Sequence, residues 1–166
     1  MKMTKQEMDD GCETYYKDGG MSACGSDYTN GEDGTIPIPE GNDIRFYRCS
    51  VCGQIVAVIG TDGNPLTCCM REMQLLEPGT VDATVERHVP VFTRRGRKII
   101  VDVGSEPHPM TPEHHIEWIC LVTCQGIQWK NLEDKDEATA CFRISSHEKV
   151  AAVYAYCNLH GLWRCC

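Results

Sequence analysis

The chain has 166 residues and a formal net charge of −8, from 16 basic and 24 acidic side chains. That balance argues against nucleic acid or an anionic membrane as the main partner, no run of about 18 apolar residues is present to span a bilayer, and residues 1–10 lack the apolar core of a secretory signal. A cytoplasmic protein is expected, and twelve cysteines in a reducing compartment point to metal binding ahead of a disulfide framework.

Residues 1–43 differ from the rest. They hold ten acidic and three basic residues (net −7, against net −1 for residues 44–166), seven of the 15 glycines and no Leu, Val, Phe or Trp. So little apolar area cannot offset the entropy of ordering, and a mobile or loosely packed extension is expected. Cys12 and Cys24 lie in it, as idle thiols, extra ligands or a thiol pair. Thr35-Ile36-Pro37-Ile38-Pro39 reads as an extended linker, each proline biasing its predecessor away from helix.

From Ile44 onward the pattern is all-β. Short β-prone runs fall at residues 44–48, 55–59, 98–103, 116–123, 127–130, 138–144 and 150–156, most of them separated by Gly, Pro, Asn or Asp clusters. No stretch has a 3.6-residue period with caps at both ends. A sandwich of two antiparallel sheets is therefore expected. Cys120, Cys124 and Cys141 read as core residues of this region, and Trp118 and Trp163 as packing residues near the metal site that the histidines and Cys157 would form.

Cys49-Ser50-Val51-Cys52 is a C-x-x-C knuckle, and the pair Cys68-Cys69 follows after 15 residues. Four thiolates this close suit a tetrahedral iron or zinc ion. Gly53 suits a tight turn that frees backbone N–H groups for sulfur, and Gly60 to Asn64 reads as a turn between the two halves. Adjacent ligands on one ion should distort the tetrahedron. The set leaves no open position, so the site is structural or electron-transferring; iron could cycle by one electron there and zinc could not.

A second group of potential ligands is spread over His88, His108, His114, Cys157 and His160. Singly these are weak signals. Cys157 and His160 form a Cys-x-x-His pair that one turn can present to one ion, and Pro90, Pro107 and Pro109 stiffen the loops around His88 and His108.

These residues carry a resemblance. Residues 47–53 (YRCSVCG), 66–69 (LTCC), 75–82 (LLEPGTVD), 86–91 (ERHVPV), 103–110 (VGSEPHPM), 115–118 (HIEW) and 156–163 (YCNLHGLW) resemble desulfoferrodoxin, the two-iron form of superoxide reductase. The likeness spans residues 44–164 and leaves 1–43 outside. It implies an extension over 1–43, a small desulforedoxin-like domain over 44–80, and an immunoglobulin-like β-sandwich over 81–166. It implies a rubredoxin-like iron on Cys49, Cys52, Cys68 and Cys69, and a second iron held by His88, His108, His114 and His160 in a plane with Cys157 axial. Of the doublet, His114 and not His115 takes the ligand position.

The resemblance further implies one-electron reduction of superoxide to hydrogen peroxide, a rubredoxin-like electron donor, a homodimer, and detoxification under oxidative stress in an anaerobe. Four neutral imidazoles and one thiolate leave a vacant position opposite sulfur for the substrate. The thiolate pushes electron density toward iron, and the N–H groups of Leu159 and His160 are expected to tune it. Arg87 stands where the family typically has lysine, so attraction of the anion survives while a lysine-specific proton role does not. Glu86 takes the position of a carboxylate that binds the oxidised iron. Arg94, Arg95, Arg97 and Lys98 read as a solvated hairpin tip. Met70-Arg71-Glu72-Met73 departs from the family's Gly-Glu-Pro-Met. Two other readings stand beside the enzyme: an electron-transfer or iron-binding protein without catalysis, and a zinc-stabilised binding module.

Overall fold

The computed structural model describes residues 44–60, 65–79 and 85–165. The expectations for the extension, its linker, Cys12 and Cys24 lie outside the described residues, as do Cys166, residues 61–64 of the first turn and the side chain of Glu86.

Two chain segments build three layers. In the first segment β1 (Ile44–Arg48), β2 (Ile55–Ile59), β3 (Thr67–Cys68), β4 (Arg71–Glu72) and β5 (Gln74–Leu76) form an antiparallel sheet ordered β2-β1-β5 and a two-stranded β3-β4 ladder. β1 alternates as a strand with one covered face should: Ile44 and Phe46 are buried, while Arg45 and Tyr47 are not.

A single helical turn, α1 (Val85–His88), opens the second segment. Then come β6 (Pro90–Arg95), β7 (Lys98–Val103), β8 (Ile116–Thr123), β9 (Ile127–Asn131), β10 (Thr139–Arg143), β11 (Val150–Cys157) and β12 (Gly161–Cys165). They make two sheets, ordered β10-β7-β6 and β12-β11-β8-β9. All pairings are antiparallel. This seven-strand pattern is an immunoglobulin-like sandwich.

Between its sheets Ile99, Val101, Ile119, Leu121, Phe142, Val153, Ala155 and Cys157 form one core. The opposite face of the four-stranded sheet is covered too: Trp118, Cys120, Val122, Ala152, Tyr154 and Tyr156 pack with Ile44 and Phe46 of β1. β8 and β11 are thus buried on both faces, and their near-continuous apolar sequences follow from it. Cys120 is a core residue as expected, Cys141 is only half buried, and Cys124 falls just past the end of β8. The hairpin tip at Gly96-Arg97 is exposed, with Gly96 at φ 64°. Arg94 ties it down, donating to the carbonyls of Glu148 at 2.7 Å and Ser146 at 2.9 Å.

Candidate metal centres

The knuckle after β1 is closed by its own backbone. Cys49 N–H donates to Gln54 O at 2.9 Å and Gly53 N–H to Cys49 O at 3.0 Å. Gly53 sits at φ 76°, where glycine carries no Cβ penalty. The freed donors are those of Cys52 and Val51, the latter 3.4 Å from Cys49 Sγ, and together they pull the Cys49 thiol down to about 6. The thiols of Cys49, Cys52 and Cys69 around Cys68 push it up to about 12. One member of the cluster therefore ionises readily while a neighbour holds its proton, and a cation would displace that proton.

Cys49, Cys52, Cys68 and Cys69 bring their sulfurs within 4.8 Å of one another. Cys52 and Cys68 Sγ are 3.7 Å apart, and Cys68 and Cys69 Sγ 3.8 Å. A tetrahedral ion with metal–sulfur bonds near 2.3 Å needs edges of about 3.8 Å, so the spacing fits. At the adjacent pair the backbone is unusual: Cys69 and Met70 both lie in the left-handed region, at φ 50° and 59°. Cys49 is buried, whereas Cys52 and Cys69 are exposed, so the cluster opens to solvent.

The second cluster gathers at one end of the sandwich. His88 ends α1, His108 and His114 lie in the long β7–β8 connection, and Cys157 and His160 flank the β11–β12 turn. A register shift between Tyr156 and Cys157 re-aims the end of β11. One donor atom from each of His88, His108, His114 and Cys157 lies within 4.8 Å of the others. His160 joins them through Nδ1, 2.9 Å from His88 Nε2 and 3.6 Å from Cys157 Sγ.

The four imidazoles form a ring in the order 88, 108, 114, 160. Neighbouring centroids are 4.7, 4.6, 4.8 and 4.6 Å apart, with planes crossed at 76–83°, and His88 faces His114 across the ring at 6.0 Å. Two neighbouring donors on one ion with bonds near 2.1 Å would stand about 3 Å apart, close to the His88–His160 separation.

Protonation fits the same use. His108 donates its Nδ1 proton to Pro109 O at 2.6 Å, which leaves Nε2 as the lone-pair nitrogen. That Nε2 and His114 Nε2 are buried without a hydrogen-bond partner, an arrangement costly to leave uncompensated. Burial pushes the His108 imidazolium down to about 4 and that of His114 down as well. Burial raises the Cys157 thiol, opposed by the His160 and Leu159 N–H groups that bond its sulfur. His115 turns away, its Nδ1 donating to Thr111 O at 3.0 Å.

The expected packing near this cluster holds for Trp163, and further contacts support it. Trp163 stacks on His88, centroids 4.9 Å apart at 25°, and donates Nε1–H to His160 O at 3.1 Å. Trp118 packs elsewhere, against Tyr156, Trp129 and Phe46. Gly104, at φ 85°, locks the His88 turn to the His108 loop: a Cβ there would stand 2.7 Å from Arg87 O and 2.5 Å from Glu106 O. Arg87 is exposed and its Nε pairs with Glu106 Oε2 at 3.2 Å.

A surface four-thiolate cluster beside a sandwich that carries four imidazoles and a buried thiol defines a two-centre, non-haem metalloprotein. The family model described as desulfoferrodoxin matches residues 80–166, and that of the desulfoferrodoxin N-terminal domain matches residues 41–76. A desulfoferrodoxin homolog of Archaeoglobus fulgidus is 44% identical over 121 residues, 73% of this chain and 95% of that protein. The desulfoferrodoxin of Nitratidesulfovibrio vulgaris is 42% identical over 124 residues, 74% of this chain and 96% of that protein. The crystal structure of the superoxide reductase from Treponema pallidum matches with TM-score 0.67 and 31% identity, over 76% of this chain and 99% of that one. The chain belongs to the desulfoferrodoxin family.

Proposed function

We propose that the chain is a superoxide reductase. The observation that carries this reading is the crossed ring of His88, His108, His114 and His160 with the Cys157 sulfur among its donor atoms, 3.6 Å from His160 Nδ1. The ring would hold the catalytic iron, and Cys49, Cys52, Cys68 and Cys69 a second iron. When bound, iron would supply a one-electron reductant, with Cys157 as its thiolate ligand. The net reaction is balanced: superoxide, one electron and two protons give hydrogen peroxide.

The remaining work falls to side chains. Arg87, exposed and one residue from His88, attracts the anion against the acidic charge of the chain as a whole. Glu86 precedes Arg87 in the sequence and takes the family's carboxylate position there, which makes it the second catalytic residue of this reading. The depressed basicity of His108 and His114 keeps both imidazoles neutral and free to bind metal at neutral pH. The Leu159 and His160 N–H groups temper the donor strength of Cys157.

This reading divides the chain into an extension over 1–43, a tetrathiolate domain over 44–80 and a catalytic domain over 81–166. It includes a homodimer, a rubredoxin-like electron donor, a cytoplasmic setting and superoxide detoxification in an anaerobe. Among the described residues no helix is long and apolar enough to cross a membrane.

The test is metal content with a visible spectrum before and after mild oxidation. Two irons per chain, with tetrathiolate bands and a separate thiolate-to-ferric band on oxidation, are expected. Iron in the tetrathiolate alone would favour an electron carrier, and zinc alone would favour a binding module.

A further inference from the structure

Of the five residues around the second centre, His114 has the least regular support. Cys157 ends β11, His160 is fixed by the turn into β12, His88 ends α1, and His108 is held by its bond to Pro109. His114 lies in the loop before β8, whose first paired residue is Ile116, opposite Cys157. The loop has its own turn, with Thr111 N–H bonded to His114 O at 3.0 Å and His114 N–H to Thr111 O at 3.1 Å. That turn sets the local shape of the loop but not its distance from Cys157.

Asn158 supplies the missing link. Its backbone N–H donates to His115 O at 3.2 Å, which extends the β8–β11 ladder one step past Cys157. Its side-chain Oδ1 accepts the His115 N–H at 3.0 Å, and its Nδ2–H donates to Glu113 O at 3.0 Å. A side-chain amide has the donor and acceptor of a peptide group, and here it acts as one more residue of strand. It grips the chain on both sides of His114, from the position next to Cys157.

We propose that Asn158 is a positioning residue that fixes His114 relative to Cys157, and so sets the geometry in which the histidine–cysteine cluster takes its metal. This rests on the reading of that cluster as a metal centre. The chemistry is specific to Asn. Asp keeps an acceptor for the His115 N–H and loses the donor for Glu113 O. Gln carries the same amide one methylene too far. Ala removes both bonds and leaves the backbone link intact. Partners one shell out from a ligand typically change metal affinity by about 10–100-fold when removed, and that is the effect expected here.

The test compares Asn158→Ala and Asn158→Asp with the full-length parent in two readouts. The first is ferrous affinity of the histidine–cysteine centre by chelator competition, with the tetrathiolate bands as an internal control and the position of the thiolate-to-ferric band recorded. The second is hydrogen exchange by mass spectrometry of the segment 111–118. The expected result is an affinity loss of about 10–100-fold for Asn158→Ala, a smaller loss for Asn158→Asp, a shifted thiolate-to-ferric band, unchanged tetrathiolate bands and faster exchange of the segment. Parental affinity and an unmoved band would overturn the proposal, even if thermal stability fell. Should Asn158→Ala not fold, Asn158→Asp decides alone by the same criteria. A parent that takes no iron at this centre would instead refute the functional reading, and the exchange of segment 111–118 would still decide whether Asn158 holds the loop.

Discussion

Trp163 lies flat against His88, with ring centroids 4.9 Å apart at 25°, and the same indole donates its N–H to the carbonyl of His160. One buried side chain thereby supports two neighbouring members of the imidazole ring. Trp163→Phe keeps a stacking surface and loses the hydrogen bond, so it should cost about 1 kcal/mol. Trp163→Ala also empties the space under His88 and should cost about 3–5 kcal/mol. Chemical denaturation of both variants measures the difference. Similar losses for the two would show that the stack contributes little.

Arg87 and Glu106 form an exposed pair at the mouth of the same site. Arg87→Ala should lower the second-order rate with superoxide about tenfold at low ionic strength, the lower end of electrostatic steering. It should also flatten the dependence of that rate on salt. Glu106→Gln removes a negative charge from the approach of an anion. Because an exposed pair is worth about 1 kcal/mol or less, the rate should rise by no more than about fivefold. Rapid mixing across a range of ionic strength checks both. A rate for Arg87→Ala that keeps the parent's salt slope would remove Arg87 from substrate capture.

Met70 offers a test of backbone strain beside the thiolate cluster. It is fully exposed and sits at φ 59°, directly after Cys69 at φ 50°. A left-handed conformation costs a non-glycine residue about 1–2 kcal/mol, against which glycine's larger entropy in the unfolded chain is set. Met70→Gly should therefore stabilise the tetrathiolate segment by up to about 1 kcal/mol. The temperature at which the tetrathiolate bands disappear is the readout, and a lower temperature in the variant would contradict this account.

The four-cysteine cluster and the Cys157–His160 pair were legible in the sequence because their chemistry is carried by residue type and spacing, whereas His88, His108 and His114, weak signals singly, were picked out only by the family resemblance. Asn158, Trp163 and Glu106 were not legible in these roles, because they act through backbone groups, a stacked face and an ion pair that only folding brings together. The β-sandwich was readable from five of its seven strands. The two that escaped, β6 and β12, are edge strands. β9 and β10 are edges too and were readable; β6 and β12 escaped because they open on Pro90 and Gly161, which read as turn residues, and β6 ends on Arg94-Arg95. The left-handed backbone of Cys69 and Met70 was not legible either, because neither residue is the glycine that such a conformation favours.

Acid should weaken the metal-free fold through His108. Burial, then the charges of His88, His114 and His160, hold its imidazolium at about 4 in the folded chain, against 6.5 when exposed. The unfolded chain takes up the proton first. The contribution is therefore complete above about pH 6.5 and is lost as pH falls toward about 4. Urea midpoints of the metal-free chain should fall more steeply over that window than those of His108→Gln. Parallel slopes would show that His108 is not the group responsible.

Reduction of superoxide and its dismutation differ in their product ratio. The reduced, iron-loaded protein is mixed with a limiting amount of superoxide, and peroxide and dioxygen are measured together. One hydrogen peroxide is expected for each superoxide consumed, with no dioxygen, and His114→Ala should lose this activity while its tetrathiolate bands persist. Dioxygen evolved alongside half as much peroxide, or full activity in His114→Ala, would contradict the reductase reading.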